Sequence, residues 1–241
     1  MPYHRGSRKH ILDWVQEKNF REQMSQLAVS AGATTSSADR WMPIGHADPG
    51  EARLETFGPK HLPDALDWRA VADWWLVHQA NVPNWDLAAT CRIEGRCGVI
   101  LMEAKANVPE LRAGGKTLCK DASGRSHDNH ERIGSAIGEA KAALAPQFPS
   151  LGTSRDTHYQ LSNRIAFAWR LASLGLPVIL IYFGFIGDTD IVGVGQPFAT
   201  SQEWEHSFWS HAGAVVPRGF AEHRIDCGGE AMWFLVRSRL V

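Results

Sequence analysis

Residues 86–105 read "DLAATCRIEGRCGVILMEAK", and the way this stretch folds back on itself decides the architecture around it. Apolar runs lie on either side of Glu94-Gly95, a pair that suits a two-residue hairpin turn, though less well than Asn-Gly or Asp-Gly. With that turn Ile93 faces Arg96, and counting outward brings Asp86 opposite Glu103. Directly opposite residues project from the same face of a sheet. Lys105, two residues past Glu103, shares that face by strand alternation. Asp86, Glu103 and Lys105 are therefore expected at one corner of a sheet, in an alignment that a one-residue slip would destroy.

Two opposed carboxylates repel unless a cation sits between them or one acid takes a raised pKa. Mg²⁺ or Mn²⁺ suits the arrangement, because Mg²⁺ takes oxygen ligands from one or two carboxylates and keeps several waters. A bound divalent ion polarises a phosphoryl oxygen and acidifies water, and a lysine ammonium orients that water and offsets charge on the phosphate. These are sufficient parts for hydrolysing a phosphodiester. The same residue types also fit plainer roles: an acid after Trp85 that caps a turn, and a solvated Glu-x-Lys pair at a strand end.

Moving outward, 241 residues make one large domain or at most two. Hydrophobic and charged fractions of 44% and 21% are those of an ordinary globular protein. No apolar run reaches the roughly 18 residues of a membrane span, and the longest, "LPVILIYFGFI", reads as a buried strand. The beginning, "MPYHRGSRKHILDW", lacks the apolar stretch and cleavage site of a secretory signal, so a cytoplasmic location is expected. Cys91, Cys97, Cys119 and Cys227 form no CxxC pair. Cys91 and Cys97 flank one turn, which leaves a bridge open, but reduced thiols are the expectation in that compartment. His206, His211 and His223 have no zinc-ligand spacing. A net charge of -1 argues mildly against a dedicated DNA-coating protein, which is normally strongly basic, while leaving room for an enzyme with a local basic rim.

Residues 1–50 are read as an N-terminal arm: a helix over "HILDWVQEKNFREQMSQLAVSAG", then the exposed connection "ATTSSADRWMPIGHADPG". Residues 51–241 form the α/β body. There "DALDWRAVADWWLVHQA" predicts a helix capped by Asp64 or Asp67, with Val71, Trp74 and His78 on one face. Residues 114–129 read as a loop. "NHERIGSAIGEAKAALA" and "SRDTHYQLSNRIAFAWRLASLG" predict helices, the second stopping at Gly175. "LPVILIYFGFIG" predicts a strand buried on both faces. "SQEWEHSFWSHAG" reads as a helix and "EAMWFLVRSRLV" as a final strand; the rest of 186–230 has no assignment. Helix, hairpin, helices and apolar strand predict an α/β fold, a mixed central sheet flanked by helices on both faces.

"NWD", a turn, and an apolar strand ending in "EAK" resemble the core motif of the PD-(D/E)XK nuclease superfamily, over roughly residues 66–185. The resemblance implies a restriction-endonuclease-like three-layer sandwich. It makes Asp86 and Glu103 ligands of Mg²⁺ or Mn²⁺, adds the carbonyl of Ala104 as a third, and makes Lys105 the catalytic lysine. The usual Pro-Asp is here "PNWD", with two residues between Pro83 and Asp86. Some members carry an additional acid on the preceding helix, for which Asp67 and Asp73 are the options, a helix cap being the other role of Asp67. Several carry a Gln-centred motif with a Tyr four residues on; this chain has Gln160 but Arg164 in that place.

Gln160 and Arg164 share a helix face one turn apart, and with His158 are candidates to contact a phosphate, the alternative for Arg164 being an ion pair with an acid. Asn129, His130 and Arg132 at a helix start, with Arg112, Lys116 and Lys120 on the loop, are candidates for a basic rim; a solvated charged loop has the same composition. The expected function is a Mg²⁺-dependent nuclease whose partner is nucleic acid, DNA first, with a homodimer as an option. The alternatives are a catalytically vestigial nucleic-acid- or protein-binding module on the same fold, and a phosphoryl-transfer or hydrolytic enzyme acting on a small molecule.

Overall fold

The computed structural model describes residues 5–62, 66–78, 80, 82–193 and 195–241. In chain order these form α1 (Gly6–Trp14), α2 (Phe20–Leu27), the two-residue strands β1 (Ala33–Thr34), β2 (Trp41–Met42) and β3 (Ala52–Arg53), then α3 (Leu54–His61), α4 (Trp68–Trp75) and β4 (Asn84–Trp85). The hairpin strands β5 (Leu87–Ile93) and β6 (Arg96–Lys105) follow, then α5 (Gly124–Leu144), α6 (Tyr159–Ser173), β7 (Val178–Ile186), α7 (Ser201–Ala212), β8 (Arg224–Asp226) and β9 (Ala231–Leu240).

The hairpin has the register its turn dictates: Ile93 pairs with Arg96 and Leu87 with Met102. Glu94 and Gly95 have φ of 51° and 81°, the two positive values a type I′ turn needs. Gly95 takes this conformation without strain, whereas Glu94 does not. The two strands enter a mixed, strongly curled half-barrel sheet of order β1-β5-β6-β7-β9-β8, with β2 also paired to β5 and a separate β3-β4 pair. β6, β7 and β9 run parallel, while β5 and β8 are antiparallel to their neighbours β6 and β9. β7 lies between two parallel neighbours and is buried along its whole length, which is why its sequence is an unbroken apolar run.

Strand alternation divides the core. Leu101, Leu180 and Tyr182 join Trp75, Ile137, Phe167 and Phe208 of α4, α5, α6 and α7 in one cluster. Ile100, Ile181 and Phe183 join Ile11, Trp14, Phe20 and Met24 of α1 and α2 in the other. Trp14 stacks on Phe183 with ring centroids 5.0 Å apart, a contact that contributes about 0.5–1.5 kcal/mol beyond its buried area. Arg239 Nη2 meets Glu17 Oε1 at 2.8 Å, and Arg237 Nε donates to the Leu27 carbonyl at 3.0 Å. Residues 1–50, expected as an arm, thus supply two helices and two strands to this assembly.

Several boundaries differ from the sequence reading. The single helix expected after residue 9 breaks into α1 and α2. Residues six apart on a straight helix point about 120° away from each other; the break lets the Trp14 and Phe20 rings meet edge to face at 5.0 Å. The connection after Gly32 contains β1 and β2, which pair with β5. α3 was not anticipated. α4 ends at Trp75, so His78 is not on its face; instead its backbone N–H donates to Asn129 Oδ1 at 2.8 Å. α5 begins at Gly124 inside the expected loop, because Ser123 accepts from the Ser126 N–H as an N-cap. Asp64 lies outside the described residues. No helix among the described residues is long and apolar enough to cross a membrane. All four cysteines are free; Cys97 faces Arg92 rather than Cys91.

Candidate active site at the end of the hairpin

Where β5 begins, at Leu87, the C-terminal end of β6 runs on past it. The Ala104 N–H, left without a strand partner on that side, donates to Asp86 Oδ2 at 2.8 Å. The N–H and C=O of one strand residue point to the same side, so the Ala104 carbonyl is also directed toward the Asp86 edge. Glu103 and Lys105, two residues apart, share a face and are 2% and 5% exposed. Lys105 Nζ donates to Glu103 Oε1 at 2.5 Å and to Gln160 Oε1 at 3.0 Å. Arg164 Nε donates to the other Glu103 oxygen at 2.7 Å, and its Nη2 to the Asn84 carbonyl at 2.6 Å. The guanidinium lies 4.5 Å from the Trp85 ring centroid, which adds a cation–π attraction. One turn of α6 thus delivers both Gln160 and Arg164 to the corner.

The two acids are held in different states. Burial, then the neighbouring Glu103, push the Asp86 carboxyl up to about 7. Burial also works against an ionised Glu103, but Arg164 and Lys105 together hold it below the usual carboxylate range. For Arg164, burial opposes the charge and Glu103 outweighs it, leaving the guanidinium firmly protonated. Glu103 is the ionised acid, bonded by two cations, and Asp86 is the one pushed toward its neutral form.

The remaining candidates are placed as follows. Arg164 takes the ion-pair role rather than a free phosphate-binding one. His158 precedes α6 in a left-handed conformation (φ 47°, ψ 41°) and lies 4.7 Å from the His211 ring. Asn129 is engaged with the backbone of residues 77 and 78. A His130 ring nitrogen is 2.8 Å from the Lys116 carbonyl, tying the 112–123 loop to α5. Asp67 is exposed and caps α4, accepting from the Arg69 and Ala70 N–H groups at 3.0 and 3.1 Å. Asp73 is exposed beside Arg69.

Near the site lie Tyr182, which the sequence reading did not single out, and His211, which it considered only as a zinc ligand. Tyr182 pairs with Glu103 across the parallel β6–β7 ladder, and its hydroxyl is buried without a hydrogen-bond partner. Burial and Glu103 raise its pKa well above the ordinary phenol value. His211 on α7 is held down to about 4 by burial, by His158 and by Lys105. The β6–β7 register was the one signal for Tyr182, and it requires knowing which strands are neighbours.

Asp86, Glu103 and the Ala104 carbonyl are all oxygen donors, a set that suits Mg²⁺ or Mn²⁺ rather than zinc. Among the described residues no group of three or more His, Cys, Asp or Glu is placed to hold a metal ion. No protein-family model, curated protein or solved structure matches the chain.

Proposed function

We propose that the chain is a Mg²⁺- or Mn²⁺-dependent phosphodiesterase acting on nucleic acid, DNA first, on a restriction-endonuclease-like three-layer arrangement. The observation that carries this reading is the corner itself: Asp86 and Glu103 at the end of one hairpin, with the Lys105 ammonium bonded to Glu103. Asp86, Glu103 and the Ala104 carbonyl would hold the ion, which when bound supplies Lewis-acid polarisation of a phosphoryl oxygen. Lys105, fixed between Glu103 and Gln160, orients the attacking water and offsets charge as it builds on the phosphate. Arg164 keeps Glu103 ionised and fixed in place. Trp85 and the Asn84 carbonyl in turn hold Arg164.

A second reading has its own support. Both Glu103 oxygens are engaged by cations and the Glu103–Lys105 pair is buried, which suits a vestigial site on a nucleic-acid- or protein-binding module. Titration calorimetry with Mg²⁺ and Mn²⁺ on wild type and Asp86→Asn separates the two. Binding by the wild type that disappears in the variant supports the enzyme; no binding by the wild type, even with an oligonucleotide present, gives the binding module precedence.

A further inference from the structure

Resting on that functional reading, we infer that the substrate reaches the hairpin corner unpaired, through the cavity beneath residues 112–123, so that the chain acts on single-stranded nucleic acid rather than intact duplex. Glu103, Lys105 and Arg164 are 2%, 5% and 6% exposed. A duplex presents its phosphates on the outside of a stiff cylinder and needs an open platform; these groups offer none. Beside them lies a cavity of about 870 Å³, within the size range of small-ligand sites. Gln160 and Arg164 line it while bonding directly to Lys105 and Glu103. They are the wall shared by the cavity and the site.

The cavity's roof is braced. The Lys116 N–H donates to the Arg155 carbonyl at 2.9 Å, and the His158 and Tyr159 N–H groups donate to the carbonyls of Ala113 and Gly114 at 2.8 and 3.0 Å. Gly115 sits so close to the Asp156 carbonyl that an added Cβ would lie 2.3 Å from its oxygen. The lining joins cations to an aromatic ring: Arg112 and Lys116 with Tyr159, whose ring centroid is 5.1 Å from Lys116 Nζ. One acid, Asp121, also lines it. Cations that follow a backbone, combined with a ring on which a base stacks, are how sequence-tolerant single-strand sites are built. In a chain of net charge -1 this is a local feature, not a general affinity for polyanions.

The test is fluorescence anisotropy with a labelled oligothymidine of about 12 nucleotides and a matching blunt duplex. It is run in EDTA, on wild type, Arg112→Ala/Lys116→Ala and Tyr159→Ala, each first shown to melt like the wild type. The single strand is expected to bind at least about tenfold tighter than the duplex. Tyr159→Ala should weaken it about tenfold, and the double variant should reduce the slope of log K against log salt by about 1.4. Equal affinity for duplex, or variants that bind like wild type, would overturn the single-strand route and leave the phosphodiesterase reading standing. If neither nucleic acid binds while Mg²⁺ binding still depends on Asp86, the substrate class is overturned; if the metal binding is absent too, the functional reading falls with it.

Discussion

Glu103 and Arg164, 61 residues apart in sequence, form a buried ion pair at 2.7 Å, and Lys105 closes on the opposite carboxylate oxygen. Burying such charges is costly, and removing one partner leaves the others unpaired in a poorly solvated place. Glu103→Gln would strand two cations. It is expected to lower the unfolding free energy by about 3–5 kcal/mol, read by urea denaturation at neutral pH. A loss under about 1 kcal/mol would mean that water reaches the pair. Activity measured on Glu103→Gln therefore needs a stability control beside it.

Asp86 is the acid without a cation of its own, next to an ionised Glu103. Asp86→Asn removes that repulsion and keeps an acceptor for the Ala104 N–H. The variant should match or exceed the wild type in stability when metal is withheld, by up to about 1 kcal/mol, and lose Mg²⁺ affinity at the same time. Thermal melts in EDTA and calorimetry in Mg²⁺ give the two readings. Destabilisation of the metal-free variant would show that the carboxylate has a cationic partner.

Tyr182 buries a hydroxyl with no hydrogen-bond partner, a state that costs about 1–3 kcal/mol. Tyr182→Phe should therefore hold or raise stability, by about 1 kcal/mol, because the ring contacts with Phe208 and Phe234 are kept. A melting temperature clearly below that of the wild type would show the hydroxyl satisfied in solution.

His211 is held down to about 4 in the folded chain, against about 6.5 when unfolded. Between those values the unfolded state binds the extra proton, so stability is fully present above about pH 6.5 and falls as pH drops through the window. Burial is the main reason, and His158 and then Lys105 add to it. NMR titration of the ring proton should give a midpoint near 4, and His211→Phe should flatten that part of the pH–stability curve. A midpoint near 6.5 would place the ring in water.

Legibility in the sequence followed the range of the signal. The hairpin register was readable because a two-residue turn fixes every pair along it, and "VILIYFGFI" was readable because only a strand covered on both faces is apolar throughout. Gln160 and Arg164 were paired by helical spacing, yet their contact with Lys105 and Glu103 depends on how α6 crosses the sheet. Helix starts set by a single cap, such as Ser123, were absorbed into loop composition. The path of residues 10–42 was hidden because two-residue strands have no period, and the break between α1 and α2 is set by where Trp14 and Phe20 must bury, not by a local stop signal.

The tie between β9 and the first helices bears on how the chain closes. Arg237 and Arg239 reach Leu27 and Glu17 across separations of 210 and 222 residues, and β9 completes the parallel run that begins with β6. Loops of that length must shut before the contacts repay the lost entropy, which makes for slow folding. Until β9 is in place, the faces of Trp14, Phe183 and Phe185 stay without their last neighbours, an exposed apolar surface of the kind that aggregates.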